Sequence, residues 1–385
     1  MLNQIFTENE FAAVRDNAFP FLAEGPTIAM LRKREVIVFG AGLYGKETVK
    51  CLLRHNIAPS WVTDNNKAYW GTRINNIPVM PPDSLLDADS RYVLLTSGHC
   101  GSMFKDCKKY GVKSVLLPRD LPFGDLVGKV IGRTVEELES IVQLPLLYSL
   151  LADEVSRRIL KSFLSYQITL DNGHFRGCGP ADMYFPAELS LDYSRFVDAG
   201  AFDGDTLRCW LQKISSDGDL ASLAYAAFEP SPDQFEYLQQ YAHSLPPELV
   251  ARIRLFHSAL GASEGTMFLS PEEQCREFFS HTHNLELASL TEKVEVQVSP
   301  LDSILEGFVP TMIKADIEGA ELAMLEGAER TIRKHRPCLA ISVYHKAADI
   351  WELPLWIHSL GLGYKLYLRH HQATFTDTVC YAIAE

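Results

Sequence analysis

The chain has 385 residues, which is too long for one ordinary domain and suits two. Hydrophobic residues make up 47% of it and charged residues 22%, as in globular proteins, and the formal net charge is −13. This negative charge argues against nucleic acid and anionic membrane surfaces as main partners, since contacts to backbone phosphates require clustered Lys and Arg.

The chain begins with residues 1–30, whose weakly helical pattern predicts an N-terminal helical segment. This stretch has no basic region followed by an apolar run, so we expect no secretory signal. No later apolar run reaches the roughly 18 residues that a membrane helix needs, so we expect no membrane insertion. The eight cysteines include no C-x-x-C pair, which argues against a structural zinc site and fits a cytoplasmic location.

Residues 31–125 alternate between short apolar runs and helical patterns, which predicts an α/β domain with a parallel sheet. The first run, residues 35–39, is rich in β-branched side chains and ends at a glycine, as a buried strand does. A helix is predicted over 44–55, with further strands at 61–63 and 92–96. We expect this domain to be doubly wound and Rossmann-like.

A glycine turn follows the first predicted strand and opens the helix after it. Gly40, Gly42 and Gly45 match the G-x-G-x-x-G pattern of dinucleotide-binding turns, in which small residues let a phosphate approach the backbone amides. Asp64 ends the second predicted strand, near the place of a ribose-binding acid. A glycine turn without a ligand is the alternative. The segment from Asp64 to Val79 resembles Rossmann-like domains attached to sugar-modifying acyltransferases and methyltransferases, which implies a nucleotide or nucleotide-sugar ligand.

Residues 126–185 are predicted to form a helical connector between two domains. Residues 134–167 carry most of the helical pattern, and Thr134 with the acids after it suits a helix N-terminus. The apolar stretch at 144–151 is interpreted as a buried helix rather than a membrane segment.

Residues 186–385 begin a second alternation of strands and helices, which predicts another Rossmann-like, doubly wound domain. Strands are predicted at 196–197, 224–228, 252–256, 294–298, 312–316 and 339–343. Residues 364–368 and 379–383 are expected to close the chain as an antiparallel pair. Lys314, inside one of the apolar strands, is expected to pair with an acid.

The first strand of this second domain leads into a glycine turn over 198–206 that is wider than the first turn. S-adenosylmethionine has no phosphate, so its site needs no tight cradle, and the turn only has to pass beneath the methionine part. Asp198 at the strand end can hydrogen-bond the ammonium group of that ligand, directly or through water. Glu229 ends the next strand, where a carboxylate can accept hydrogen bonds from two ribose hydroxyls; a surface acid is the alternative. Pro230 and Pro232 then start the next helix.

Six segments over roughly residues 195–385 resemble the FkbM-type methyltransferases. They are VDAGAFDGDT, FEPSPDQFEYL, SALGASEGTMFLS, SPLDSIL, IKADIEGAELAMLEGAERTIRKHRPCLAISVYH and YKLYLRHH. The resemblance implies a class I methyltransferase fold that uses S-adenosylmethionine to methylate a hydroxyl, often on a sugar or polyketide. It implies that Asp198, Gly200, Gly204 and Glu229 contact the cofactor. The same cofactor site is predicted to include Ala201, Phe202, Asp205, Thr206, Pro230 and Ala259. The family usually has Asn in the first loop, where this chain has Phe202 and Asp203.

The candidate catalytic residues follow two later strands of this domain, because ligands in such sheets bind beyond the carboxyl ends. Asp316 ends the strand predicted at 312–316, Glu318 follows two residues later, and His345 is placed at the end of the strand that begins at 339. His345 is the preferred general base, because the unperturbed pKa of histidine lies near neutrality. A hydrogen-bonded structural histidine is the alternative.

The same acids leave a metal site open as an alternative. Asp316 and Glu318 can hold a divalent metal together with Asp302. Hydrogen bonds from these acids to backbone amides around Gly319 are the preferred interpretation, so no metal is predicted. The segment His281-Thr282-His283 has metal-like spacing, but a mobile lid over the substrate is favoured there.

The segment Arg369-His370-His371 is predicted to form a hydrophilic rim that contacts an acidic sugar or a phosphate, with a solvated strand end as the alternative. The predicted function is an O-methyltransferase that acts on a glycan or small molecule, with the first domain holding a nucleotide sugar or oligosaccharide. Two other functions stay open: a non-catalytic scaffold with two ligand-binding domains, and an NAD(P)-linked enzyme that uses the first domain.

Overall fold

A computed structural model describes residues 2–19, 27–87, 90–96, 100–117, 132–177, 182–214, 222–269 and 294–384. The chain divides into two compact units. The first unit comprises Met1–Tyr148, Arg158–Gly177 and Ala373–Phe375, and the second comprises Ser149–Arg157, Cys178–Gln372 and Thr376–Glu385. Each unit contains a large sheet in which most strands are parallel, so the predicted α/β class is confirmed.

The first unit contains a six-stranded sheet. Its strands are β1 (Val36–Phe39), β2 (Trp61–Thr63), β3 (Arg73–Ile74), β4 (Ile77–Met80), β5 (Tyr92–Leu95) and β6 (Val115–Leu116). They lie in the order β3-β4-β2-β1-β5-β6, and β3 pairs antiparallel with β4 while the other pairs are parallel. All four residues of β1 are buried, as expected for a central strand of a parallel sheet.

Helices alternate with these strands and then follow them. The described helices ahead of the second unit's sheet are α1 (Glu8–Asp16), α2 (Ile28–Leu31), α3 (Leu43–Arg54), α4 (Cys100–Lys109), α5 (Val135–Glu139), α6 (Leu144–Leu150) and α7 (Glu154–Thr169). The helical stretch predicted for 134–167 is therefore confirmed, as three helices rather than one. Thr134 caps α5 as predicted, because its hydroxyl accepts the N–H of Glu137 while the Glu137 carboxylate accepts the N–H of Thr134.

The second unit contains a seven-stranded sheet and a smaller one. The large sheet has β7 (Arg195–Ala199), β8 (Ala224–Phe228), β9 (Ile253–Phe256), β13 (Met312–Ala315), β14 (Cys338–Ser342), β15 (Tyr364–His370) and β16 (Thr378–Ala384). Its order is β15-β16-β14-β13-β7-β8-β9, with β16 antiparallel to both neighbours, so the predicted terminal pair is confirmed. The small sheet joins β10 (Ala259–Leu260), β12 (Val294–Ser299) and β11 (Gly265–Leu269), in that order.

The described helices of this part of the chain are α8 (Asp205–Ile214), α9 (Pro232–His243), α10 (Pro247–Val250), α11 (Leu301–Ile304), α12 (Glu321–Gly327), α13 (Glu329–His335) and α14 (Asp349–Ser359).

An aromatic core fixes the central strands of the large sheet. The rings of Phe196 on β7 and Tyr225 on β8 stack 5.3 Å apart, and Trp210 on α8 lies 4.9 Å from Tyr225. None of the helices described in either unit is both long enough and apolar enough to cross a membrane.

Candidate active site

The chain bends sharply between β7 and α8, and three residues of this bend have positive φ. Gly200 has φ +81° and Gly204 has φ +89°, while Phe202 between them has φ +47°. A Cβ on Gly200 would lie 2.0 Å from the carbonyl oxygen of Asp316, so only glycine fits there. Phe202 is strained in this conformation, which Asn adopts more readily than a bulky residue does.

The end of β8 holds the amides of this bend. The N–H groups of Gly200 and Ala201 both donate to the carbonyl of Phe228 over 3.0 Å. Glu229, the next residue, accepts the N–H of Phe202 at Oε2 over 2.9 Å. Its other oxygen, Oε1, accepts the N–H of Ser231 over 2.7 Å. Glu229 is only 1% exposed, so the surface-acid alternative is wrong, and this burial raises its pKa to about 7.

A buried ion pair supports the start of the bend. Asp198 is fully buried; its Oδ1 lies 2.9 Å from Nζ of Lys314, and its Oδ2 accepts the hydroxyl of Tyr225 over 2.5 Å. Burial alone would lower the pKa of Lys314, but Asp198 and other nearby acids raise it, so the pairing predicted for Lys314 is confirmed. Lys314 Nζ also donates to the carbonyl of Gly200 over 2.6 Å. Asp198 thus holds the bend in place, and its contact with a cofactor ammonium stays a prediction.

Four ionisable side chains, Asp316, Glu318, Glu321 and His345, form an acidic cluster next to the bend. His345 Nε2 lies 3.2 Å from Oδ1 of Asp316 and 3.7 Å from Oε1 of Glu318. His345 Nδ1 lies 2.8 Å from Oε1 of Glu321. Burial alone would lower the pKa of His345, but the hydrogen bond to Glu321 and the charges of the three acids raise it to about 9.

The ends of β13 and β14 therefore bring the three predicted catalytic residues together. Asp316 directly follows β13, and its N–H donates to the carbonyl of Ala199 at the start of the bend over 3.0 Å. His345 lies three residues beyond the end of β14, not at the strand end as predicted. Its ring carries a proton at neutral pH, so the general-base role predicted for it requires that proton to leave first.

Two tyrosine hydroxyls fix the carboxylate of Asp316. Tyr184 donates to Oδ2 over 2.6 Å, and Tyr344 donates to Oδ1 over 3.2 Å. Burial alone would raise the pKa of Asp316, but the charges of His345 and Lys314 and the tyrosine contact lower it. Tyr184 has φ +67°, which is unfavourable for a bulky residue. Sequence reasoning missed both tyrosines, although Tyr344 stands beside His345 in the SVYH segment that carried the family resemblance.

The other predicted cofactor residues lie near the bend or in the small sheet. Asp205 and Thr206 start α8 directly after the bend. Pro230 precedes α9, and its carbonyl lies 3.2 Å from Nε2 of His257. Ala259 lies in β10, which belongs to the small sheet rather than to the sheet that carries the bend.

Three further predictions concern Asp302, Arg369 and the segment His281-Thr282-His283. Both carboxylate oxygens of Asp302 accept backbone N–H groups at the start of α13, so Asp302 caps that helix. Arg369 is buried and pairs with Asp153 and Glu188, so the predicted hydrophilic rim is wrong: two acids of the same unit already occupy its guanidinium. The segment His281-Thr282-His283 lies outside the described residues.

The glycine turn of the first unit, residues 40–45, connects β1 to α3. Asp64 follows β2 and accepts the N–H of Ala41 at Oδ2 and the N–H of Asn66 at Oδ1, each over 2.6 Å. The acid after β2 thus holds the turn after β1, as Glu229 does in the second unit. A nucleotide or nucleotide-sugar ligand at this turn stays a prediction.

Two glycines of this turn should respond differently to alanine. A Cβ on Gly45 would lie 1.8 Å from the carbonyl oxygen of Gly40, whereas a Cβ on Gly42 would meet nothing within 4 Å. We expect Gly45→Ala to lower the melting temperature of the first unit by about 5 °C or more, and Gly42→Ala to change it by about 2 °C at most. Equal melting temperatures for the two variants would contradict this packing.

Comparison with known proteins agrees with this architecture. Residues 198–366 match the family model described as the methyltransferase FkbM domain. The chain is similar to a solved FkbM methyltransferase from Methylobacillus flagellatus KT, with 22% identity and a TM-score of 0.69 over 98% of this chain and 100% of that one. It is also similar to the methyltransferase domain of bacterial CtHen1-CN, with 14% identity and a TM-score of 0.29 over 50% of this chain and 90% of that one. No curated protein sequence matches. The first of these similarities shows a shared fold, and the predicted methyltransferase fold is confirmed.

Proposed function

We propose that this chain, which carries an FkbM methyltransferase domain at residues 198–366, transfers a methyl group from S-adenosylmethionine to a hydroxyl. The acceptor is a sugar, a glycan or a similar small molecule. The observation that carries this proposal is Glu229, which is buried beneath the glycine bend with its carboxylate turned toward the amides of the bend.

Glu229 is suited to the ribose of the cofactor. Each of its carboxylate oxygens accepts one backbone N–H and keeps capacity for a second donor. Two ribose hydroxyls can donate to those remaining lone pairs, and hydrogen bonds to a charged acceptor are strong. Gly200 and Gly204 let the backbone approach the methionine part closely. We propose that Asp198 acts through Lys314, which fixes the position of the bend.

The acidic cluster is suited to the acceptor hydroxyl. Methyl transfer forms an oxygen–carbon bond while the sulfur–carbon bond breaks, and it leaves S-adenosylhomocysteine and a proton. Because the cofactor carries the activated methyl group, the protein mainly has to align the hydroxyl with it. Asp316, Glu318 and His345 lie beside the bend, where they orient the hydroxyl. His345 first gives its own ring proton to solvent, and the freed ring nitrogen then accepts the proton of the hydroxyl.

Binding and transfer can be measured separately. Titration calorimetry of the full chain with S-adenosylmethionine should give saturable heat that S-adenosylhomocysteine suppresses. Radioactive methyl transfer to a panel of sugars and nucleotide sugars then identifies the acceptor. No heat at millimolar cofactor would favour the scaffold function instead, and quenching of NAD(P)H fluorescence would favour the NAD(P)-linked one.

The affinity for S-adenosylmethionine should rise about tenfold from about pH 6 to about pH 8. Burial raises the pKa of Glu229 to about 7, so below that value the carboxyl is mostly protonated and accepts fewer hydroxyl hydrogen bonds. The ribose binds the ionised form, so binding releases a proton that calorimetry detects in buffers of different ionisation enthalpy.

The same raised pKa of Glu229 makes folding less favourable as the pH rises, whereas it makes cofactor binding more favourable. The folded unit holds the Glu229 proton more tightly than the unfolded chain, so this residue lowers stability as the pH rises toward about 7. Cofactor binding should offset that loss, and the cofactor should raise the melting temperature more at about pH 8 than at about pH 6. A cofactor affinity independent of pH would contradict a ribose contact through Glu229.

His345→Gln should lower turnover about 100-fold and leave the affinity for S-adenosylmethionine within about twofold. His345 belongs to the acidic cluster, whereas the cofactor is held by Glu229 and the bend, so the two measurements separate. The control is His358→Gln, at an exposed position of α14. Turnover at the wild-type level would remove His345 from the reaction.

A further inference from the structure

His345 has a carboxylate on each side of its ring, and the two sides differ. On one side, Nδ1 lies 2.8 Å from Oε1 of Glu321, and the same oxygen accepts two backbone N–H groups. On the other side, Nε2 faces Asp316 and Glu318. This nitrogen makes no hydrogen bond with any described residue, although the side chain is only 3% exposed. A buried polar atom without a hydrogen bond needs an explanation, and a bound ion is one that also fits the two carboxylates facing this nitrogen.

The atoms on that second side are spaced like ligands of one metal ion. Nε2 lies 3.2 Å from Oδ1 of Asp316 and 3.7 Å from Oε1 of Glu318. Two ligands about 2.1 Å from a divalent ion, at octahedral or tetrahedral angles, lie roughly 3.0 to 3.4 Å apart. The side chain of Glu318 is 46% exposed, so it has room to move the small remaining distance.

Glu321 takes the place of a supporting carboxylate. Histidines that bind metal usually donate their other ring nitrogen to a carboxylate, which fixes the orientation of the ring. Glu321, Asp316 and His345 offer ligand atoms within 4.8 Å of one another. Glu321, however, lies across the ring from Nε2, so one ion bound at Nε2 cannot also be reached by the oxygen that contacts Nδ1. The three carboxylates together supply negative charge that a cation neutralises.

We propose that Asp316, Glu318 and Nε2 of His345 bind one divalent transition-metal ion, with Glu321 orienting the ring. One imidazole nitrogen and two carboxylate oxygens suit Mn²⁺ or Zn²⁺ better than Ca²⁺. The role of the ion rests on the proposed function: it would polarise the acceptor hydroxyl and stabilise the oxygen as the proton leaves.

Mn²⁺ is the probe, because binding removes the sharp paramagnetic resonance signal of the free ion. The full chain, treated with a chelator and kept free of cofactor and acceptor, should take up one Mn²⁺ with saturation. Pulsed electron paramagnetic resonance of the bound Mn²⁺ should show hyperfine coupling to an imidazole nitrogen, and this coupling should vanish in His345→Gln. Glu318→Gln, at a half-exposed position, should weaken Mn²⁺ binding at least tenfold, and Glu321→Gln should weaken it about 10- to 100-fold.

The matched control is Glu326→Gln, an exposed acid on the same helix as Glu321, which should leave Mn²⁺ affinity unchanged. Circular dichroism, measured on every variant, shows that the fold persists, and affinity for S-adenosylmethionine is measured beside it. Association without saturation, or nitrogen coupling that survives in His345→Gln, would overturn the metal site. Saturable Mn²⁺ binding in a chain that does not bind S-adenosylmethionine would support the metal site and refute the proposed function. Cofactor binding with no Mn²⁺ saturation would refute only the metal site.

Discussion

Glu229→Gln should weaken S-adenosylmethionine binding about 100-fold or more at about pH 8, and Glu229→Ala should weaken it at least as much. Each hydrogen bond to a charged group contributes about 1.5 to 3 kcal/mol, and the ribose loses two of them. Glutamine adds a second defect. Its carboxamide has one acceptor oxygen, so its NH₂ group must face one of the two backbone N–H groups that Glu229 now accepts.

The measurement is calorimetric titration, with Glu248→Gln as the control because that acid is exposed on α10. Circular dichroism of each variant confirms that the sheets persist. An unaltered cofactor affinity in Glu229→Gln would show that the carboxylate only supports the bend and that the ribose lies elsewhere.

Much of the fold follows from residue types that local structure requires. Buried parallel strands need short β-branched or apolar runs, and the runs near residues 36 and 312 predicted β1 and β13. Backbone with positive φ next to another chain segment requires glycine, so the bend was visible as Gly200 and Gly204. The acid after β8 was predictable for a different reason, because strand order alone puts Glu229 beside the bend.

The rest depends on contacts between distant parts of the chain. Tyr184 and Asp316 are 132 positions apart, and no spacing rule connects them. Arg369 near a strand end resembles a solvated residue, but Asp153 and Glu188, from other segments, allow it to be buried. His345 resembles a neutral base until three acids surround it and raise its pKa to about 9. Protonation state is a property of the assembled cluster, so the sequence pattern could not predict it.

The position of the bend depends on the buried ion pair between Asp198 and Lys314. The variant Lys314→Met should show how much unfolding free energy is lost when this pair is broken. Removing the lysine leaves the Asp198 carboxylate without its cation at a fully buried site, which should cost the second unit about 3 to 5 kcal/mol of unfolding free energy. The exposed control Lys334→Met should change it by about 0.5 kcal/mol at most. Urea unfolding followed by circular dichroism measures both variants.

The double variant Asp198→Asn with Lys314→Met separates stability from binding. Removing both charges takes away the unpaired ion, so most of the lost unfolding free energy should return. The hydrogen bond from Lys314 to the carbonyl of Gly200 does not return, so the bend loses an anchor in both variants. Cofactor affinity should therefore remain about tenfold below wild type in the stable double variant. A double variant no more stable than Lys314→Met would show that the charge pair is not the source of the loss. Full recovery of affinity would show that the bend keeps its position without the lysine.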